Sequence, residues 1–262
     1  MRLSRFLAGT FLTFVYGFLL TPFVVVILTS LNAADYLSFP PQALSWRWYG
    51  AFFGSASFLT ALWTSILVAA LTAPLAALIG TPAAIYFVRH MRKYREAFRF
   101  AVLSPLILPE ILTAIALLFL FNQTVGTYRS IGPLIVSHVV ITLPFVFLTV
   151  SSALYNLPPN VEEAARTLGA DARRTFVHVT FPLIKSGVVT GMLLSFIVSF
   201  DNVNLSLLLK PQGQTTLPIL LMDNLRYNFD ATTAAASVVS ALLTLSIVLL
   251  IDRLYGLSAV RF

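Results

Sequence analysis

Six apolar stretches of lipid-spanning length limit this chain more than any other feature. They are Phe6–Leu31, Phe58–Val88, Phe100–Phe121, Ile131–Leu154, Ser186–Leu209 and Thr232–Ile251, and a helix crosses a bilayer with about 20 apolar residues. Among hydrocarbon tails every backbone amide must be paired within the protein, so a spanning segment is either a helix or a strand of a closed barrel. The short alternating segments of a barrel are missing. The expectation is therefore an all-α polytopic membrane protein with six transmembrane helices. Only 10% of the 262 residues are charged and 58% are hydrophobic, whereas a soluble domain carries about 25% charged residues. Without cysteine there is neither a disulfide nor a thiolate metal site. The first stretch, headed by Arg2 and Arg5, is longer than a signal-peptide core and reads as an uncleaved anchor.

The net charge of +7 raises the question of a nucleic-acid partner, but the placement of the charges answers it otherwise. With the N-terminus inside, thirteen basic residues fall on inner segments: Arg2, Arg5, Arg89, Arg92, Lys93, Arg95, Arg99, Arg166, Arg173, Arg174, Lys185, Arg253 and Arg261. Four fall on outer ones: Arg47, Arg129, Lys210 and Arg226. That asymmetry puts both termini in the cytoplasm. It makes anionic membrane lipid, and not nucleic acid, the partner of the basic excess.

No repeat, low-complexity tract or soluble domain interrupts the pattern, so residues 1–262 read as one transmembrane domain. The outer segment after the first span carries Phe39-Pro40-Pro41 and Trp46-Arg47-Trp48-Tyr49, aromatic residues suited to a membrane interface. Spans two to four contain Pro74, Pro82, Pro105, Pro109, Pro133 and Pro144. Each removes a helix hydrogen bond and predicts a kink, lining a cavity or serving packing. Span five carries Gly187, Gly191, Ser195 and Ser199 at intervals of four. This small-residue ridge permits close helix contact, within the subunit or with a second one.

The polar segment 155–185 is the chain's most specific feature. Pro158-Pro159 stops the preceding helix, and Asn160 with Glu163 three residues on forms a capping-box pattern. Glu162 and Glu163 sit at the positive end of the helix dipole. Ala164 and Ala165 allow close approach, Leu168 supplies an apolar knob, and Gly169 suits a left-handed C-terminal position. Asp171 can cap a second helix that runs to Pro182. A helix of about two turns is not stable alone in water, so the first one needs a partner surface.

Glu163-Ala164-Ala165, three residues, Gly169, nine residues, and Val179-Thr180-Phe181-Pro182 match the EAA-x3-G-x9-I-x-L-P signature, with conservative changes at Val179 and Phe181. By it the chain resembles the inner-membrane permeases of binding-protein-dependent ABC importers. It is most similar to their spermidine/putrescine branch through Tyr36–Pro41, Trp46–Tyr49, Ser104–Leu118, Ser195–Asn202 and Thr215–Pro218. The resemblance implies the MetI-like permease fold in a bacterial inner membrane. It implies as partners a second permease subunit, an ATPase dimer and a periplasmic or extracellular substrate-binding protein. Glu162, Glu163, Ala164, Ala165, Leu168 and Gly169 would then belong to the coupling segment that meets the ATPase. Where that branch often has two adjacent carboxylates late in span five, this chain has Asp201-Asn202.

No phosphate-cradling glycine loop occurs, so no cofactor is expected in this chain, with ATP and magnesium on the partner ATPase. Metalloprotease, CxxC and serine-nucleophile patterns are absent as well, and His90, His138 and His178 read as non-catalytic. The chain is expected to be a transport subunit and not an enzyme. Two acids fall within spans. Glu110 lies roughly 14 Å from the inner end of span three at 1.5 Å per residue, and Asp201 lies toward the outer side of span five. A charge at bilayer depth costs ~2.5–3.5 kcal/mol or more, so it should face a cavity or a partner. Both, with Asn202 and Asn204, are candidates for a substrate path favouring cations. Alternatively Glu110 is protonated or caps a helix broken after Pro109, and Asp201 caps a helix end.

The expected cargo is a small organic cation such as spermidine or putrescine. The alternatives are the same machine carrying an amino-acid-like compound, an organophosphonate or ferric iron, and, remotely, a proton-coupled secondary transporter using Glu110, Asp201 and His138. The charge asymmetry gives a direct test of topology. Reporters fused after Arg95, Arg174 and Phe262 should read as cytoplasmic and those at Ala43 and Gly213 as external. An external Arg174 would invert the orientation.

Overall fold

A computed structural model describes residues 2–36, 38–124, 126, 129–158, 160–227 and 230–255, with side chains from Gly9 onward. Pro159, Arg261, Phe262 and the side chains of Arg2 and Arg5 lie outside that description. The described residues are almost entirely helical: α1 (Arg2–Ser30), α2 (Arg47–Gly54), α3 (Ala56–Arg89), α4 (Arg95–Ile107), α5 (Glu110–Thr124), α6 (Ile131–Tyr155), α7 (Val161–Thr167), α8 (Ala172–Thr175), a π-helical turn (Phe176–Thr180), α9 (Phe181–Phe200), α10 (Asn204–Leu209), α11 (Leu217–Tyr227) and α12 (Ala231–Tyr255). Among these residues five helices are long and apolar enough to cross a membrane, and a sixth span forms if the bent pair α4–α5 is counted as one.

That bent pair departs from the straight third span expected from hydropathy and agrees with the alternative reading of a helix broken at Pro109. α4 and α5 meet at 103°. Pro109 pushes Leu108 into an extended conformation, φ −75° and ψ 143°, and the helix stops at Ile107. The chain restarts at once, with Leu112 N–H donating to Pro109 O at 2.9 Å and Glu110 in the first turn of α5, where a negative charge suits the helix dipole. The depth of Glu110 along one straight axis therefore does not apply. α3 and α6, by contrast, run unbroken through Pro74, Pro82 and Pro144.

The fifth span is displaced from its expected bounds. It starts at Ala172 and passes through the π-helical turn into α9. It ends at Phe200, not Leu209, and α10 follows after a break at 201–203. Asp171 caps α8 as expected, accepting from Arg174 N–H at 2.7 Å. The helix does not stop at Pro182, which occupies the first turn of α9 directly after the π-helical turn.

By compactness the chain divides into two units. One is Met1–Leu59 with Leu220–Thr244. Within it the segment after α1 folds around the fully buried Asn32. Its side chain donates to Ser38 Oγ at 2.6 Å and accepts from Gln42 N–H at 3.2 Å, while its carbonyl accepts from Trp48 Nε1 at 2.8 Å.

The other unit is Thr60–Ile219 with Leu245–Phe262, and its centre is the pairing of α6 with α9. A β-carbon on Gly187 would stand 2.8 Å from Thr149 O, and one on Gly191 would stand 2.7 Å from Val146 Cα. Further along the same ridge Ser195 Oγ donates to Thr142 O at 3.3 Å. The ridge of small residues thus packs on α6 of its own subunit. α10 packs on α5 and α6, and Phe87, Phe98 and Phe147 join α3, α4 and α6 in an aromatic cluster.

Because the obstruction at Gly191 includes the Val146 backbone as well as Thr149 Oγ1 at 2.6 Å, a larger side chain must separate the two helices. Gly191→Leu should lower stability by about 1–3 kcal/mol, read as a drop in the thermal unfolding temperature in detergent. Gly17→Leu, made where nothing lies within 4 Å, should leave it unchanged. An unaltered unfolding temperature in Gly191→Leu would refute the packing assigned to the ridge.

Candidate functional site

Two groups of candidate residues emerge in the larger unit. In the first, α7 carries Glu162, Glu163, Ala164 and Ala165 on a helix with none of its residues buried, and Leu168 and Gly169 follow directly after it. Glu163 is exposed and its side chain has no partner among the described residues. Leu168 is 90% exposed, an apolar side chain left almost wholly uncovered. Gly169 has φ +88°, the left-handed conformation that favours glycine. The capping box does not form. Asn160 sits at φ −98° and ψ −1° with no side-chain cap bond, away from the extended conformation a capping residue needs.

Glu162 is placed differently from its neighbour. It pairs with Arg89 at the end of α3, and the same carboxylate oxygen accepts from Thr180 Oγ1 at 2.6 Å. Arg89 and Thr180 were not identifiable as functional residues in the sequence, because they lie 73 and 18 positions from Glu162 and belong to other elements. Nearby, Arg95 lies 4.7 Å over the Phe87 ring and donates to Tyr155 Oη. An open pocket on α8 and the π-helical turn is lined by Asp171, Arg173, Arg174, Val177 and His178.

The second group surrounds Glu110. Its carboxylate accepts from Asn202 Nδ2 on one oxygen and from Asn204 Nδ2 at 3.0 Å on the other. Asn202 is itself buried, and its Oδ1 accepts from Leu205 N–H at 2.9 Å. Three of the four candidate path residues therefore converge. The fourth, Asp201, ends α9 with its backbone N–H on Ile197 O at 3.1 Å. Its side chain is without a hydrogen-bonded partner among the described residues.

His138, read as non-catalytic in the sequence, is fully buried next to this group. Nδ1 lies 2.7 Å from Ser199 Oγ and Nε2 lies 3.2 Å from Ser206 Oγ. One imidazole thus ties both sides of the break that presents Asn202 and Asn204. The useful signal was a lone histidine in an apolar span, where a buried polar ring requires partners.

Residues 76–262 match the model of the family described as binding-protein-dependent transport system inner membrane component. The chain belongs to this family. It is 30% identical to the spermidine/putrescine transport system permease protein PotC of Haemophilus influenzae over 95% of this chain and 96% of that one. It is 31% identical to the putrescine transport system permease protein PotI of Escherichia coli (strain K12) over 80% and 77%. The fold is that of a MetI-like ABC permease. A bacterial ABC transporter involved in the import of the acidic polysaccharide alginate superposes with a TM-score of 0.72 over 97% of this chain and 96% of that one, at 16% identity. The chain is thus an ABC importer permease, a multi-pass transport subunit of the inner-membrane type.

The conformation of Gly169 gives this permease a testable weak point. Arg166, Arg173 and Arg174 flank it and offer trypsin three exposed cleavage points. A β-branched residue at positive φ stores strain of order 1–3 kcal/mol. Gly169→Val should raise the rate of tryptic nicking in this segment about tenfold, and Gly169→Asn should raise it less. Equal cleavage in all three proteins would show that the turn does not need glycine.

Proposed function

We propose that this permease moves a small organic cation of the spermidine/putrescine kind into the cytoplasm, driven by a separate ATPase. The observation that carries the reading is the Glu110 carboxylate, held by two neutral amides and, among the described residues, by no basic side chain. An ammonium approaching such a carboxylate away from bulk water gains more than it would in solution. Asp201, whose side chain has no hydrogen-bonded partner among the described residues, adds a second acidic group after α9. Two relatives at about 30% identity are named for putrescine or spermidine transport, which supports the same class of cargo.

In this reading α7 and its exposed Leu168 meet the ATPase, with Glu163, Ala164, Ala165 and Gly169 shaping the contact. ATP and magnesium reside on that ATPase dimer. A second permease completes the membrane pair, and an external binding protein delivers substrate. Both termini and the 155–185 segment face the cytoplasm in this reading, which the basic asymmetry supports. Glu110, Asp201, Asn202 and Asn204 line the path, and this chain itself makes and breaks no bond.

Two measurements test the proposal. The cognate binding protein, titrated calorimetrically, should bind putrescine or spermidine in preference to amino acids, organophosphonates and ferric iron. In the reconstituted complex, Glu110→Gln and Asp201→Asn should each lower radiolabelled putrescine uptake about tenfold, equivalent to ~1.4 kcal/mol, with the complex still assembled. Wild-type uptake by both variants would remove the carboxylates from the path. Preference of the binding protein for an anion would end the polyamine assignment.

A further inference from the structure

The two adjacent glutamates of α7 point in different directions. Successive helix residues are turned about 100° from each other. Glu163 is exposed, whereas the side chains of Glu162 and Arg89 keep only 22% and 26% of their exposure. An ion pair with most of its surface covered is screened far less by salt than one in open water. The pair is reinforced by a hydroxyl donor, Thr180 Oγ1, at 2.6 Å on the same carboxylate oxygen.

The three groups come from three elements. Arg89 is the last residue of α3, Glu162 belongs to α7, and Thr180 closes the π-helical turn that leads into α9. π-Helical turns hold one residue more than the helix around them and recur at functional positions. Here the turn sets the Thr180 hydroxyl against Glu162. α7 has no buried residue and no side-chain cap, and among the described residues these bonds tie its side chains to the rest of the subunit.

We propose that Glu162 is a positioning residue that struts α7 against both α3 and α9, so that displacement of α7 is passed to two spanning helices together. Glu163 and Leu168 face the partner, and Glu162 faces its own subunit. The proposal rests on the coupling reading above, and it assigns Glu162 a different role from the other residues of that segment.

The test uses the assembled complex of permeases, ATPase and binding protein, with putrescine as the transport probe. Glu162→Gln should keep the ATPase bound and hydrolysing. It should raise amide hydrogen exchange at 164–168 and 176–180 about fivefold, and lower putrescine uptake per ATP by a similar factor, as loss of one partner in a coupled pair implies. The exchanged pair Glu162→Arg with Arg89→Glu should recover most of the exchange protection and of the uptake, which a generally damaged fold would not do. Unchanged exchange in Glu162→Gln overturns the strut. Loss of the ATPase from Glu162→Gln, unrepaired in the exchanged pair, would make Glu162 a direct ATPase contact, overturning the proposal while leaving the coupling reading intact. If no ATPase accompanies the wild-type permease, the coupling reading fails and the strut fails with it.

Discussion

The close approach of α6 and α9 is the contact on which the larger unit depends. Gly187 and Gly191 leave no room for a β-carbon, and Thr149, Val146 and Ala153 of α6 fill the space with backbone and side-chain atoms. Lipid tails are as apolar as leucine, so between helices in a membrane it is dense packing, more than water exclusion, that favours association. Hydrogen bonds between such helices average only about 0.6 kcal/mol. The polar contacts along this seam therefore set register, while the glycines permit the contact itself.

Further polar contacts follow in sequence along that seam. Ser195 reaches the α6 backbone, Ser199 reaches His138, and His138 extends across the break to Ser206 on α10. That fixes α10 against α5 and α6 and sets Asn202 and Asn204 where both amides meet Glu110. The 103° bend between α4 and α5 supplies the other half, because it turns Glu110 into the first residue of a new helix. A carboxylate that would be costly on a straight lipid-facing helix is held instead by donors on a second broken element.

At its other end α9 begins beside the Thr180–Glu162–Arg89 group. Its 20 residues span about 30 Å at 1.5 Å per residue. One rigid helix thus separates the amide-held carboxylate from the exposed α7 segment. Packed helices shift as units more readily than they deform, and this gives the two groups a shared mechanical element.

The sequence by itself determined the class of the molecule. Long apolar runs in a chain poor in charge leave helices as the way to satisfy the backbone, and the spacing of Glu163, Gly169 and Pro182 pointed to the family. Local rules also settled the positive φ of Gly169 and the cap at Asp171, since both depend only on neighbours in the chain. Tertiary structure decided what depends on distant partners. It chose which helix the small-residue ridge meets, paired Glu162 with an arginine 73 residues away, and made His138 a buried tie. It also decided that span three would break sharply at Pro109 while α3 and α6 run through their prolines. A proline lacks the helical N–H at every one of these positions, so the proline alone does not distinguish the break before α5 from the unbroken α3 and α6.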